Sequence, residues 1–390
     1  MKDFVFDNTT KVYFGRNQLN HLTEEINRLG NHVLFVYGGG SIKRTGLYDK
    51  ILSLLKDAGV MVTEYSGVEP NPRHTTVNKG AALCHEQNIG VILAVGGGSV
   101  IDCSKGIAAT ALADTGDVWD LVEGKKPVTQ ALPIIAVPTM AASGSEMNSG
   151  GVISNLEKKV KRALKSPLLR PVVTFADPTN TFTVSAYQTA CGSLDIMSHV
   201  FDAAYFSEQE QLNMILQMQE DLFKTVIKFA PIALEYPNNY EARANLMWAS
   251  MWAVNDFLSS GVRQAAACHI IEHELSAYYD ITHGHGMAII LPRWLTYILD
   301  ETTAPRIYRF GRNCFQVPEG LSDLNGAKQS IVALSNFCFK TLGLSPHLSD
   351  FGIDEKYFEE MAEHACENGS INSFKSLNKD DIVEILKTCL

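Results

Sequence analysis

Four of the chain's eleven histidines lie between His269 and His285, in the run Cys268-His-Ile-Ile-Glu-His-Glu-Leu-Ser-Ala-Tyr-Tyr-Asp-Ile-Thr-His-Gly-His285. His269 and His273 stand four apart, so on a helix they share one face. That helix is expected to break near Asp280–Thr282, which turns His283 and His285 back toward it. A second pair, Asp195 and His199, has the same spacing and sits among Leu194, Ile196, Met197 and Val200. Ionisable groups in apolar surroundings need partners. Taken singly, each histidine also fits a hydrogen-bonded structural role, and Asp195 with His199 fits a structural pair. If the two clusters converge, one aspartate and three histidines make a mixed nitrogen and oxygen site for Fe2+ or Zn2+ that leaves a position open for a ligand.

A second chemistry is suggested by two glycine runs, Gly38-Gly39-Gly40-Ser41 and Gly96-Gly97-Gly98-Ser99, each directly after an apolar segment. Glycine lets backbone N–H groups approach phosphate oxygens, and a following helix start adds partial positive charge. A single run of this kind serves equally well to reverse the chain. Two in one sheet favour a nucleotide.

Elements must hold these residues. His32–Tyr37, Val62–Tyr65 and Val91–Val95 read as strands, alternating with helices over Leu47–Ala58, Thr76–Gln87 and from about Ser99. Pro133–Pro138 and Val172–Asp177 add strands, so the pattern is that of a Rossmann-like α/β domain with a mainly parallel sheet. Beyond Thr183–Ser185 the strand segments stop, and helices are expected over Ala186–Tyr205, Gln209–Phe229, Glu241–Leu258, Val262–Tyr279 and Met287–Leu299. The expectation is an α/β domain over residues 1–184 and an all-α domain over 185–390. Met251, Trp252, Phe257 and Leu258 are apolar candidates for a substrate wall, although Trp248 and Trp252, four apart, fit core packing as well.

Lys plus Arg number 33 against 43 Asp plus Glu, a net charge of −10 without a basic patch to mark a nucleic-acid partner. No apolar run suits a membrane span, and the opening MKDFVFDN lacks the features of a secretory leader. The eight scattered cysteines suit reduced thiols, so a cytoplasmic setting is expected.

Four motifs together closely resemble the iron-dependent (group III) alcohol dehydrogenases, and within them the NADPH-dependent butanol dehydrogenase branch. They are Gly96-Gly-Gly-Ser99-Val-Ile-Asp102, Pro138-Thr-Met-Ala-Ala-Ser-Gly-Ser145-Glu146, Gly192-Ser-Leu-Asp195-Ile-Met-Ser-His199 and His269-x3-His273-x9-His283-Gly284. The resemblance covers nearly the whole chain. It implies a dinucleotide-binding α/β domain followed by a helical one, Asp195, His199, His269 and His283 as metal ligands, and His273 as a second histidine that faces the site without binding metal; one turn from His269, His273 is placed to relay a proton through water. It also implies that Asp102 lies by the nicotinamide as a candidate catalytic residue, and that Thr139, Ser143 and Lys161 touch the cofactor. Thr139 and Ser143 also suit helix caps, and Lys161 lies in a basic run that suits solvent. One departure is visible: Asp202 stands three residues after His199, where relatives often carry Glu. His285 has no carried-over role, and a solvent-facing or channel-lining place is expected for it.

The resemblance further implies a homodimer and a small alcohol or aldehyde as substrate. Sites that choose NAD place a carboxylate at a strand end to bind the ribose 2′-hydroxyl. Gly38 stands where NAD-using relatives carry Asp, and Ser41, Lys43 and Arg44 follow it, so NADP(H) is the expected cofactor. The rival readings are a glycerol dehydrogenase-like polyol enzyme, a dehydroquinate synthase-like lyase without net cofactor turnover, and an inactive metal- and nucleotide-binding regulator.

Overall fold

The computed structural model describes residues 2–207, 210–262 and 266–390. The chain divides into two compact units, Asp7–Val184 and Ser185–Leu390, the latter taking in the first residues of the chain.

The Asp7–Val184 unit is built on six parallel strands: β1 (Lys11–Phe14), β2 (His32–Tyr37), β3 (Met61–Tyr65), β4 (Val91–Gly96), β5 (Ile134–Pro138) and, after the antiparallel hairpin β6 (Gly150–Asn155) and β7 (Val160–Lys165), β8 (Val173–Ala176). Their order is β1-β8-β5-β4-β2-β3. Both faces are covered, which is why β2, β4 and β5 read as continuous apolar runs. Alternate residues serve the two faces. Leu34, Val36, Ile92 and Ala94 pack with Val77, Ala81, Ile101 and Ile107 of the helices His74–Gln87 and Gly98–Thr110. Val33, Phe35, Leu93 and Val95 pack with Leu22, Ile26, Ile51 and Leu55 of the helices Leu22–Leu29 and Leu47–Asp57 on the other face.

The strand order fixes where a ligand belongs. β2 and β4 are neighbours, yet the chain leaves β2 for β3 on one side and leaves β4 for β5 on the other. The crevice beyond their carboxyl ends is therefore a topological switch point, where open α/β sheets bind ligands. Both glycine runs emerge there, since Tyr37 and Val95 are paired across the two strands.

Three strands escape the sequence reading. β1 is a short edge strand whose Lys11 pairs with Val173 of β8. The hairpin pairs Ser154 with Lys161, and a Cβ on Gly151 would stand 3.2 Å from the Asp102 carbonyl, so glycine lets it lie close over the helix after β4.

The Ser185–Leu390 unit is helical. The helix expected to reach Tyr205 runs as Ala186–Val200 and continues as one π-helical turn, Phe201–Tyr205; the next is Asn213–Glu235, with Gln209 of the expected helix outside the described residues. The third ends at Ala253 rather than Leu258. Ala267–Tyr279 follows, the earlier residues 263–265 of that expected helix lying outside the described residues, and His283–Ile298 begins four residues before the expected Met287. Ser185 and Asn239 cap their helices by accepting the N–H groups of Gln188 and Ala242. Phe201, Tyr205, Phe206, Phe223 and Phe310 pack edge-on at the centre. A Cβ on Gly284 would stand 2.1 Å from the Cys191 carbonyl oxygen, so only glycine allows the helices Ala186–Val200 and His283–Ile298 to touch there. Among the described residues no helix is long and apolar enough to cross a membrane, and all eight cysteines are free thiols.

Candidate metal centre

Helical spacing puts Asp195 and His199 on one face of Ala186–Val200, and His269 and His273 on one face of Ala267–Tyr279. Asp280 then takes a left-handed backbone (φ 53°) that ends the second helix, and His283 opens the next. The break expected near Asp280–Thr282 thus lies between the two helices.

Asp195, His199, His269 and His283 each offer one atom, all within 4.8 Å of one another. His283 Nε2 lies 3.4 Å from Asp195 Oδ1, and His199 Nδ1 lies 3.8 Å from it. The His199 and His269 rings are 5.1 Å apart, those of His269 and His283 5.3 Å. Asp195 Oδ1, His199 Nδ1 and His269 Nε2 are buried without a hydrogen-bond partner. Native interiors rarely leave such atoms unsatisfied. Three buried orphans aimed at one spot, in a set of three imidazoles and one carboxylate, fit a divalent Fe2+ or Zn2+.

Two further carboxylates aim the imidazoles. Asp202, fully buried in the π-helical turn, takes a hydrogen bond from His269 Nδ1 at 2.8 Å and one from the His269 backbone N–H at 3.1 Å. Glu272, also fully buried, binds His283 Nδ1 and accepts from the Ser276 hydroxyl. Each leaves the other ring nitrogen for the centre. Burial opposes protonation of both His199 and His269; it holds the His199 pKa below the usual value, while the Asp202 charge and hydrogen bond carry that of His269 above it. His273 is partly exposed, with its ring 5.6 Å from that of His283 and 6.4 Å from that of His269. Glu272, His273 and His283 also gather within 4.8 Å, but Glu272 is engaged with the opposite nitrogen of His283 and acts as its brace.

His285 departs from expectation. It is 3% exposed, faces Tyr187 Oη at 3.1 Å and the Ser345 carbonyl at 2.9 Å, and packs on Phe351, so it is a core histidine and neither faces solvent nor lines a channel. Met251 and Leu258 are likewise core, while Trp252 packs edge-on between Trp248 and Phe257.

In the other unit, Gly38–Gly40 follow β2, and Gly97 caps the helix Gly98–Thr110 that carries Ser99 and Asp102. Thr139 donates its N–H to the Gly96 carbonyl, and a Cβ on Gly98 would stand 2.2 Å from Ser143 Oγ, so both residues border the second glycine run. Asp102 accepts from Ser145 Oγ at 2.5 Å and from the Val152 N–H at 2.9 Å. Its carboxylate therefore ties the loop and the hairpin to the helix. Lys161, expected to touch the cofactor although its basic run also suits solvent, is only 8% exposed.

The family model for iron-containing alcohol dehydrogenases matches residues 9–178, and the model for the C-terminal part of that family matches residues 189–390. The chain belongs to the iron-containing alcohol dehydrogenase family. It is 46% identical, over the whole of both chains, to the probable NADH-dependent butanol dehydrogenase 1 of Bacillus subtilis. It is 36% identical to the NADPH-dependent aldehyde reductase YqhD of Escherichia coli, over 95% of this chain and 94% of that one. The crystal structure of NADH-dependent butanol dehydrogenase A from Thermotoga maritima superposes with a TM-score of 0.94 at 37% identity, covering 100% of this chain and 99% of that one.

Membership makes the protein an alcohol dehydrogenase of a family that uses iron and a nicotinamide cofactor. For this iron-containing alcohol dehydrogenase, sequence reasoning missed Glu272. Its position directly before His273 was the available signal, but a glutamate on a helix usually faces solvent.

Proposed function

We propose that this iron-containing alcohol dehydrogenase interconverts small and medium aldehydes and primary alcohols with NADP(H), using one Fe2+ or Zn2+ held by Asp195, His199, His269 and His283. The convergence of three unpartnered buried donor atoms on one point carries the reading. A divalent metal supplies Lewis acidity toward the substrate oxygen, and the nicotinamide carries the hydride. Asp202 and Glu272 hold His269 and His283 in the binding tautomer. His273, partly exposed beside the ligand histidines, relays a proton between solvent and the substrate oxygen through water. The two glycine runs cradle the cofactor phosphates at the switch point, with Ser41, Ser99, Thr139, Ser143 and Lys161 beside them, while Asp102 fixes the loop. A cytoplasmic homodimer belongs to the same proposal.

The names of the relatives, butanol dehydrogenase and aldehyde reductase, support the substrate class. They divide on the cofactor. The preference for NADP(H) rests on this chain's own residues: Gly38 in place of an acid after β2, and the cation Lys43 that follows it. Butanal-dependent oxidation of NADPH and NADH, with added Fe2+ or Zn2+, tests it. The expected result is a higher kcat/KM with NADPH; equal or better efficiency with NADH overturns the cofactor assignment, and faster oxidation of glycerol than of butanol overturns the substrate class.

A further inference from the structure

Lys43 belongs to the single helical turn Ser41–Arg44 after the first glycine run, yet it does not stand alone. Its Nζ lies 4.5 Å from the ring centroid of Tyr48 and 5.2 Å from that of Tyr37. The two rings meet edge to face, 5.6 Å apart. Tyr37 is the last residue of β2, directly before Gly38, and is buried; Tyr48 lies in the first turn of the helix Leu47–Asp57. Both hydroxyls converge on one carboxylate of β3. Tyr37 Oη donates to Glu64 Oε2 at 2.7 Å, and Tyr48 Oη donates to Glu64 Oε1 at 2.9 Å.

Each contact bears on ribose recognition. A carboxylate at the strand beside β2 is the kind of group that accepts from a ribose 2′-hydroxyl and repels a 2′-phosphate. Here both oxygens of Glu64 are taken by phenol hydroxyls, which draws the acid away from that task. The same tyrosines offer their ring faces to the Lys43 ammonium, and an aromatic seat holds a cation without neutralising it. An exposed lysine is otherwise a mobile point charge. We propose that Tyr37, Tyr48 and Glu64 form a platform that positions Lys43 to receive the adenosine 2′-phosphate of NADP(H), with Glu64 kept from discriminating in favour of NAD(H). Lys43 is the binding residue, and the other three are positioning residues.

This inference rests on the NADP(H) reading, and one set of calorimetric titrations separates the two. The probes are 2′,5′-ADP, which carries the 2′-phosphate, and 5′-ADP, which does not. If the wild-type protein binds 5′-ADP as tightly as 2′,5′-ADP, the NADP(H) reading itself fails. If it prefers 2′,5′-ADP, Lys43→Gln should weaken that ligand by about tenfold, the scale of one charge-assisted hydrogen bond, and leave 5′-ADP unchanged. Lys43→Arg should recover part of the loss. Tyr48→Leu should weaken 2′,5′-ADP severalfold while Tyr48→Phe, which keeps the ring, should weaken it less. A wild-type preference that survives Lys43→Gln or survives Tyr48→Leu, or a Tyr48→Leu loss that is equal for both ligands, overturns the platform.

Discussion

Behind His269 and His283 stand Asp202 and Glu272, both sealed from solvent and each bound to the ring nitrogen that faces away from the centre. Carboxylates so placed fix the tautomer and strengthen the imidazole as a ligand. Asp202→Asn keeps the size of the side chain but loses an acceptor for His269, so it is expected to weaken metal affinity by about 10- to 100-fold with the fold retained. Metal titration checked against the circular dichroism spectrum measures this, and an unchanged affinity would contradict it. The reach of sequence is clear at this scale. Asp195, His199 and Asp202 fall at i, i+4 and i+7 on one face, but nothing local says that the partner of Asp202 is His269 on a distant helix. His285 shows the opposite error. With the helix placed from Met287, His283 and His285 read as neighbours in a loop; inside a helix, residues two apart point to opposite sides, so one meets the centre and the other the core.

At the scale of elements, the hairpin β6–β7 was the least visible feature, because lysines through the run 158–165 hide its alternation. Its turn is tied down by charge. Glu123, at the end of the short helix Val118–Val122, accepts from Lys125 at 2.7 Å, Lys158 at 2.5 Å and Trp119 Nε1 at 2.7 Å. The hydrogen bonds from Lys125, then Lys158, hold its pKa down at about 2, below the ordinary 4.5. A carboxylate depressed in the folded state binds fewer protons there than in the unfolded chain, so its contribution is complete above about pH 4.5 and is lost as the pH falls toward 2. Urea midpoints should therefore separate wild type from Glu123→Gln at pH 6 and draw together toward pH 2.5. A gap that stays constant over that range would mean the ion pairs contribute nothing that titrates. All strands of the central sheet but the short edge strand β1 were legible, since apolar runs covered on both faces leave a strong signal, but their order was not, and the order is what puts both glycine runs at the switch point.

For the whole molecule, the alternation of strands and helices followed by helices alone was enough to read an α/β part and a helical part, because hydrophobic period is a local property. What the period cannot carry is convergence over distance: four donors from three helices, brought within 4.8 Å of one another by the close approach that Gly284 permits. The proposed function rests on a metal held by these four residues. Its most direct measurement is titration of chelator-stripped protein with Zn2+, or with Fe2+ in the absence of oxygen, in the wild type and in His269→Ala. One tightly bound metal per chain is expected in the wild type and none at the same concentrations in the variant; a variant that still binds one metal with wild-type affinity would rule out this ligand set.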